Sequence, residues 1–320
     1  MEKMKYKISS RATILLGRES VSKVESALIE LIKNTYDADA TMCYILFDVE
    51  NDSILLIDDG SGMTKKIIED NWMMIGTDNK KKEYISKKKR IKSGEKGIGR
   101  FALDRLGGVC ELFTKSQEEH ATIRWKTNWN SFEEEGNLLE DIEAEFEYVS
   151  LSLYELIPDT VKNKIIQLEH RIEKKIDFST GTIIKISSLR DEWTNNQIER
   201  IKKSMEFLIP PKEQDEFYIC QQKSIDSGYE LIENNFSDEF DYKIKSVFDG
   251  ENFMINLYRN EFDVDKIPEN VFREERFMRY PYRKEDFKVK CLELTYAISQ
   301  LFNTSDSEYI ERIKQIGSFT

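Results

Sequence analysis

Two apolar runs, Cys43–Val49 and Ser53–Ile57, stand on either side of the turn formers Asn51 and Asp52, and this spacing predicts an antiparallel hairpin. Just before it, Ser20 to about Ala38 reads as a helix, with Val21, Val24, Leu28, Leu31, Ile32 and Thr35 clustered on one face at 3.6 periodicity. Ser20 or Ser22 is placed to cap its start. A helix followed at once by paired strands limits the opening of the chain to a fold that mixes helix and sheet.

Further along, Lys65–Met74 is expected as a second helix. The polar, lysine-rich stretch Gly76–Ser93 reads as a long loop, and long loops in compact domains are often functional. The glycine cluster Gly94–Gly99 opens a helix that ends near Leu106. Strands are expected at Val109–Lys115, Ala121–Lys126, Glu145–Ser150 and Gly181–Ser187. The acidic run Glu133–Glu135 is expected to be solvated surface. A boundary is expected near residue 190, which gives a domain over 1–190 and a following segment over 191–320. In that segment a helix, Asn196–Leu208, should stop at Pro210-Pro211. Strand-like runs follow at Glu216–Cys220 and Phe253–Tyr258, with a helix near Phe287–Phe302.

Composition narrows the function. The chain of 320 residues has a formal net charge of −12, which disfavours a surface that grips nucleic acid throughout but leaves a local basic patch open. Cys43, Cys110, Cys220 and Cys291 form no C-x-x-C pair, a pattern suited to a reducing cytoplasm. His120 and His170 have no metal-ligand spacing, and no long uncharged apolar run or signal peptide is present. A membrane partner is not expected.

Three short segments carry chemistry. In the first, Glu30, Asn34 and Asp37 sit at i, i+4 and i+7, on one helix face opposite the apolar stripe. Polar residues there can simply be solvated. Alternatively, a carboxylate can deprotonate a water for attack on a γ-phosphoryl group, and a carboxamide oxygen four residues on suits Mg²⁺ without adding charge beside a triphosphate. In the second, Asp58-Asp59-Gly60-Ser61-Gly62-Met63 ends a strand. Asp-Gly pairs make turns routinely. A carboxylate at a strand end can also accept from the exocyclic amine of a purine, with glycines letting backbone approach the flat base and Met63 packing on the ring. In the third, Gly94-Glu95-Lys96-Gly97-Ile98-Gly99-Arg100-Phe101 precedes a helix, where backbone N–H groups bind phosphate well. A Walker A loop would need Lys then Ser or Thr where Arg100 and Phe101 stand. A dinucleotide fingerprint would need a buried strand in place of the lysine-rich loop.

Together and in this order, Glu30-x-x-x-Asn34-x-x-Asp37-Ala38, Asp58-x-Gly60-x-Gly62 and Gly94-x-x-Gly97-x-Gly99 resemble the GHKL ATPases. That superfamily includes DNA gyrase B subunits, MutL proteins, ninety-kilodalton heat-shock chaperones, Morc proteins and the ATP-binding domains of histidine kinases. Gly181-Thr182, leading into an apolar strand, also fits. The resemblance implies an α+β fold, a two-layer α/β sandwich of the Bergerat type. Its sheet is mixed and mostly antiparallel with helices over one face, and a C-terminal α/β segment follows. It implies Mg-dependent ATP binding and hydrolysis. Glu30 would be the general base, and Asn34 would hold Mg²⁺. Asp58 would read the adenine amino group with help from Thr182. Gly60, Gly62 and Met63 would lie at the base, and Asp37 would support the region. Lys96, Gly97, Ile98, Gly99, Arg100 and Phe101 would line the phosphates. Gly76–Ser93 would be the ATP lid, its runs Lys80–Lys82 and Lys87–Arg90 attracting the triphosphate.

Within the superfamily, a histidine kinase is disfavoured because none of the 29 residues before Glu30 is His. The resemblance implies a standalone bacterial or Morc-like type whose closed chains form an ATP-dependent homodimer. Residues 191–320 would begin a transducer-like domain, with an effector domain or partner protein outside this chain. The ending Ile316-Gly-Ser-Phe-Thr320 is expected to be a strand cut short, which makes the chain an N-terminal fragment. Bacterial defence or DNA maintenance is the expected setting. An ATP-sensing interaction module with negligible turnover and a DNA-processing subunit remain as rivals.

Overall fold

A computed structural model describes residues 7–19, 23–74, 85–92, 102–209, 217–233, 242–248, 252–259 and 290–297. The chain divides into two compact units, Met1–Asn234 and Asn235–Thr320.

The first unit is built on an eight-stranded sheet in the order β5-β4-β3-β6-β2-β1-β7-β8. Its strands are β1 (Met42–Asp48), β2 (Ser53–Asp58), β3 (Gly107–Lys115), β4 (Thr122–Asn128), β5 (Glu145–Val149), β6 (Gly181–Leu189), β7 (Tyr218–Gln222) and β8 (Tyr229–Ile232). Every neighbouring pair is antiparallel except β1 and β7, so the sheet is mixed and mostly antiparallel as expected. The β1–β2 hairpin turns at Asp52, in the left-handed region at φ 49°.

The opening α-helices are α1 (Ala12–Ile14) and α2 (Val24–Asp37). Helix α2 buries Val24, Ala27, Leu28, Leu31, Ile32 and Thr35, the stripe read from the sequence. Ser20, Val21 and Ser22 lie outside the described residues. Lys65–Met74 is a short α-helical turn, α3 (Lys65–Ile67), running into a π-helical turn, Ile68–Trp72. Thr64 caps it, accepting from the Ile67 N–H at 3.1 Å. Then come α4 (Ala102–Leu106), α5 (Leu153–Leu156), α6 (Asp159–Ile172) and α7 (Asn195–Glu206).

Strand β1 is apolar from Met42 to Phe47, and alternation sends its side chains to both faces of the sheet. Cys43, Ile45 and Phe47 pack in one core with α2, α4 and α7. Met42, Tyr44 and Leu46 pack in a second core with Leu153 of α5 and Val161, Ile165 and Leu168 of α6. The expectation of helices over one face is thus extended: α5 and α6 cover the reverse of the central strands. A strand that is hydrophobic without interruption is one buried on both sides.

Three further differences have physical reasons. The first unit continues to Asn234, past the expected boundary near 190, because α7 lays Ile198, Ile201 and Met205 into the first core and β7 pairs with β1. Glu133 is not simply solvated. It bonds Arg18 at 2.5 Å and Arg190 at 3.1 Å, and Arg18 above all holds its carboxyl below the usual range. The same two arginines converge on the buried carboxylate of Asp104, each at 2.8 Å, tying the segment before α2 to α4 and the end of β6. The expected helix near Phe287–Phe302 is strand β11 (Lys290–Ala297) over its described part. In the second unit it pairs antiparallel with β10 (Asn252–Arg259), which pairs antiparallel with β9 (Tyr242–Phe248).

Candidate functional site

Asp58 ends β2, where the hairpin meets the glycine loop. Its side chain is buried, 4 % exposed, and makes no ion pair among the described residues. Burial pushes its carboxyl from an ordinary 3.8 up to about 8, against the downward pull of backbone N–H groups at Gly60 and Thr182. Gly60 N–H donates to its Oδ1 at 2.9 Å. Across the β2–β6 ladder Asp58 stands opposite Thr182.

The glycines are demanded by close backbone approach. Gly62 has φ +63°, and a β-carbon on it would overlap the carbonyl of Lys115. Gly181 has φ +142°, and a β-carbon there would overlap the carbonyl of Asp58. Thr114 joins these pieces. Its hydroxyl accepts from the Met63 N–H at 2.9 Å, lies 3.0 Å from the Gly181 carbonyl that it can donate to, and sits 3.1 Å from the Thr182 hydroxyl. Thr114 was not singled out from the sequence. A buried hydroxyl paired across strands with Thr182 is legible only once the register is known.

Helix α2 reaches this loop by its C-terminal end. The Ala38 carbonyl accepts from Ser61 N–H at 2.8 Å, and a β-carbon on Gly60 would come within 2.9 Å of that oxygen. Asp59 accepts the N–H groups of Thr41 and Met42 at 2.7 and 2.8 Å. Asp37 is buried, and Asn34 is half-buried one turn back. The structure therefore joins the end of the first segment to the second and to Thr182.

Glu30 lies two turns further along α2, about 12 Å from Ala38 at ~1.5 Å per residue. Its Oε1 pairs with Lys33 Nζ at 2.9 Å. It lines an open groove of about 660 Å³ with Lys23, Ser26, Lys33 and Arg200, between α2 and α7, and Asp58 is not part of that lining. Lys96, Gly97, Ile98, Gly99, Arg100 and Phe101 lie outside the described residues, as do Lys80–Lys82.

Residues 85–92 of the expected lid dock against the turn after α2. Ile85 and Ile91 form a bridge, and Asp39 accepts from the Ser86 hydroxyl at 2.5 Å and from Lys88 N–H at 3.1 Å. Arg90 was expected in a run that draws in triphosphate. It is instead 7 % exposed, donates to the carbonyls of Tyr36 (3.2 Å) and Ala40 (2.7 Å), and stacks over the rings of Tyr36 and Phe217. Among the described residues no group of three His, Cys, Asp or Glu stands within reach of one metal ion. None of their helices is long and apolar enough to cross a membrane.

Residues 21–157 match a family model described as histidine kinase-, DNA gyrase B-, and HSP90-like ATPase. A curated relative, the chaperone protein HtpG of Oceanobacillus iheyensis, is 29 % identical over 149 residues, covering 40 % of this chain and 24 % of the chaperone. The chain thus spans about a quarter of that relative's length. The match begins just before α2 and takes in all three segments. It agrees with a mostly antiparallel sheet that bears a buried acid beside close-packed glycines. Over residues 21–157 this chain is similar to the GHKL-type ATPases.

Proposed function

We propose that the chain binds and hydrolyses ATP with magnesium, and uses the cycle to close a lid and bring two copies together. One observation carries the reading: Asp58 is a buried carboxyl with no cation beside it among the described residues, set among backbone that tolerates only glycine. Such a group gains from a neutral hydrogen-bonding partner that fills its unused acceptor oxygen, which is what the adenine amine offers. Thr182 would assist it, Gly60 and Gly62 would admit the flat base, and Met63 would cover a face of it.

Asn34 would hold Mg²⁺ by its neutral carboxamide oxygen, and the ion would offset the charge of the phosphates. With no cluster of three candidate ligands among the described residues, an ion held mainly by phosphates and water fits better than one caged by protein. Glu30 would take the proton of the attacking water. Lys96 to Phe101 would wrap the phosphates, and Asp37 would brace the helix end. Dimerisation, a cytoplasmic setting, an effector beyond this chain, a transducer-like role for residues 191–320 and a place in bacterial defence or DNA maintenance belong to the same proposal.

A second reading, an ATP sensor with negligible turnover, draws support from the 2.9 Å Glu30–Lys33 ion pair. A carboxylate oxygen engaged by a neighbouring ammonium is less available to a water molecule. Thermal melts with MgATP, alongside steady phosphate release, separate the two. Turnover predicts that Glu30→Ala keeps the ATP-induced rise in melting temperature and loses about 10²–10⁴ in phosphate release. Phosphate release unchanged by Glu30→Ala would refute the assigned base. Absence of an ATP-induced shift in the wild type would refute nucleotide binding.

A further inference from the structure

The first unit has a cavity of about 230 Å³ with an unusual wall. The chain has four tryptophans, and three of them, Trp72, Trp125 and Trp129, line this one space together with Phe132. They come from separate places: the π-helical turn after α3, strand β4 and the turn that follows it. Trp72 and Trp125 stand edge to face at 90° with centroids 5.9 Å apart, while Trp129 and Phe132 lie 5.1 Å apart at 34°. Two aromatic pairs at different inclinations thus wall one pocket.

At its edge stand Glu140 and Glu143, both exposed, and neither forms an ion pair with any described residue. This is unlike their neighbours Glu145 and Glu147, which bond Arg124. No lysine or arginine is among the described residues of the lining.

Aromatic faces carry negative charge density and attract cations, most strongly organic ones that shed water readily. Unpaired carboxylates at the mouth add long-range attraction of the same sign. A plain apolar guest would use the rings and leave the carboxylates idle. We propose that this cavity binds a small alkylated ammonium compound, with the aromatic walls around the cationic head and Glu140 and Glu143 at the entrance.

Tryptophan fluorescence reads the site directly, since three of the four emitters line it. The probes are choline and its uncharged isostere 3,3-dimethyl-1-butanol, with sodium chloride matched to the choline salt to hold screening constant. Choline should change the emission saturably and bind at least tenfold more tightly than the alcohol. The double variant Glu140→Gln/Glu143→Gln alters only exposed side chains. It should keep the wild-type melting temperature and lose most of the preference for choline. Equal binding of the two probes would reduce the cavity to an apolar pocket and overturn the proposal. So would a folded protein that shows no saturable response to choline, or a double variant that keeps the full preference.

Discussion

Replacing Asp58 with Asn should make the domain more stable, and by an amount that depends on pH. In the folded chain the Asp58 carboxyl holds its proton up to about pH 8, against an ordinary 3.8. Below about pH 4 both folded and unfolded chains are protonated there, and the group contributes nothing to the balance. As pH rises, the unfolded chain releases the proton while the folded one keeps it, so stability falls until the folded pKa is passed. At pH 7 the gap of roughly three pH units amounts to about 4 kcal/mol at ~1.36 kcal/mol per unit. At 4 % exposure, solvent screening removes little of this. Asn keeps the acceptor for the Gly60 N–H and has no proton to trade. Thermal melts of both proteins at pH 4.5, 7 and 9 test this, at roughly 2–4 °C per kcal/mol for a domain of about 150–250 residues. The variant should gain on the order of 10 °C at pH 7 and far less at pH 4.5, yet lose the shift produced by MgATP. A difference between variant and wild type that stays constant across pH would refute the argument, because it would mean that Asp58 does not titrate in this range.

Gly62→Ala should cost at least about 2 kcal/mol, since it forces a positive φ on a side chain and drives it into the Lys115 carbonyl; a urea midpoint equal to wild type would contradict the packing. Arg90→Ala should cost about 2–3 kcal/mol by leaving the Tyr36 and Ala40 carbonyls without this donor, and Arg90→Lys should recover only part because the ring stacking needs the flat guanidinium. Ile165→Ala, in the core under α6, should cost about 2–4 kcal/mol. A near-neutral result there would mean that α6 does not cover the sheet.

Periodicity carried the reading where one segment's burial was set by its immediate neighbours. The α2 stripe and the β1–β2 hairpin fall in that class, and their bounds differ from the observed ones by a few residues. Helix α6 was missed although its signals stand in the chain: Ser152 and Glu155 form a capping box before α5, Pro158 precedes α6, and Val161, Ile165 and Leu168 recur at helical spacing. Strand β11 was read as part of a helix although Leu292, Leu294 and Tyr296 alternate with Cys291, Glu293 and Thr295. The burial of Arg90 was not legible at all. Within a lysine-rich run nothing distinguishes the one cation that will meet Tyr36 and Phe217, because those rings come from places distant in the chain. Of the candidate site, the acid, the glycines and Thr182 were legible as residue types at set spacing. Thr114 was not, because its role arises from register alone.

The neighbours Asp58 and Asp59 show how the loop divides its work. Burial raises the pKa of both carboxyls, but their partners differ. Asp59 uses its Oδ1 on the two N–H groups at the start of β1, and this fixes the turn through Asp39, which sits at φ 62°. Ser61 holds the same turn through the Ala38 carbonyl, and Arg90 holds it from the other side. With the turn secured in this way, Asp58 has little structural duty beyond the Gly60 and Thr182 contacts. A lysine beside Asp58 would lower its pKa and restore stability at neutral pH. It would also occupy the lone pairs that, under the proposed assignment, the adenine amine requires. The absence of a paired cation among the described residues and the instability expected above pH 4 are then one property of the site, and Asp58→Asn, which removes the instability, keeps the oxygen that serves Gly60 but puts a donor in place of the second acceptor.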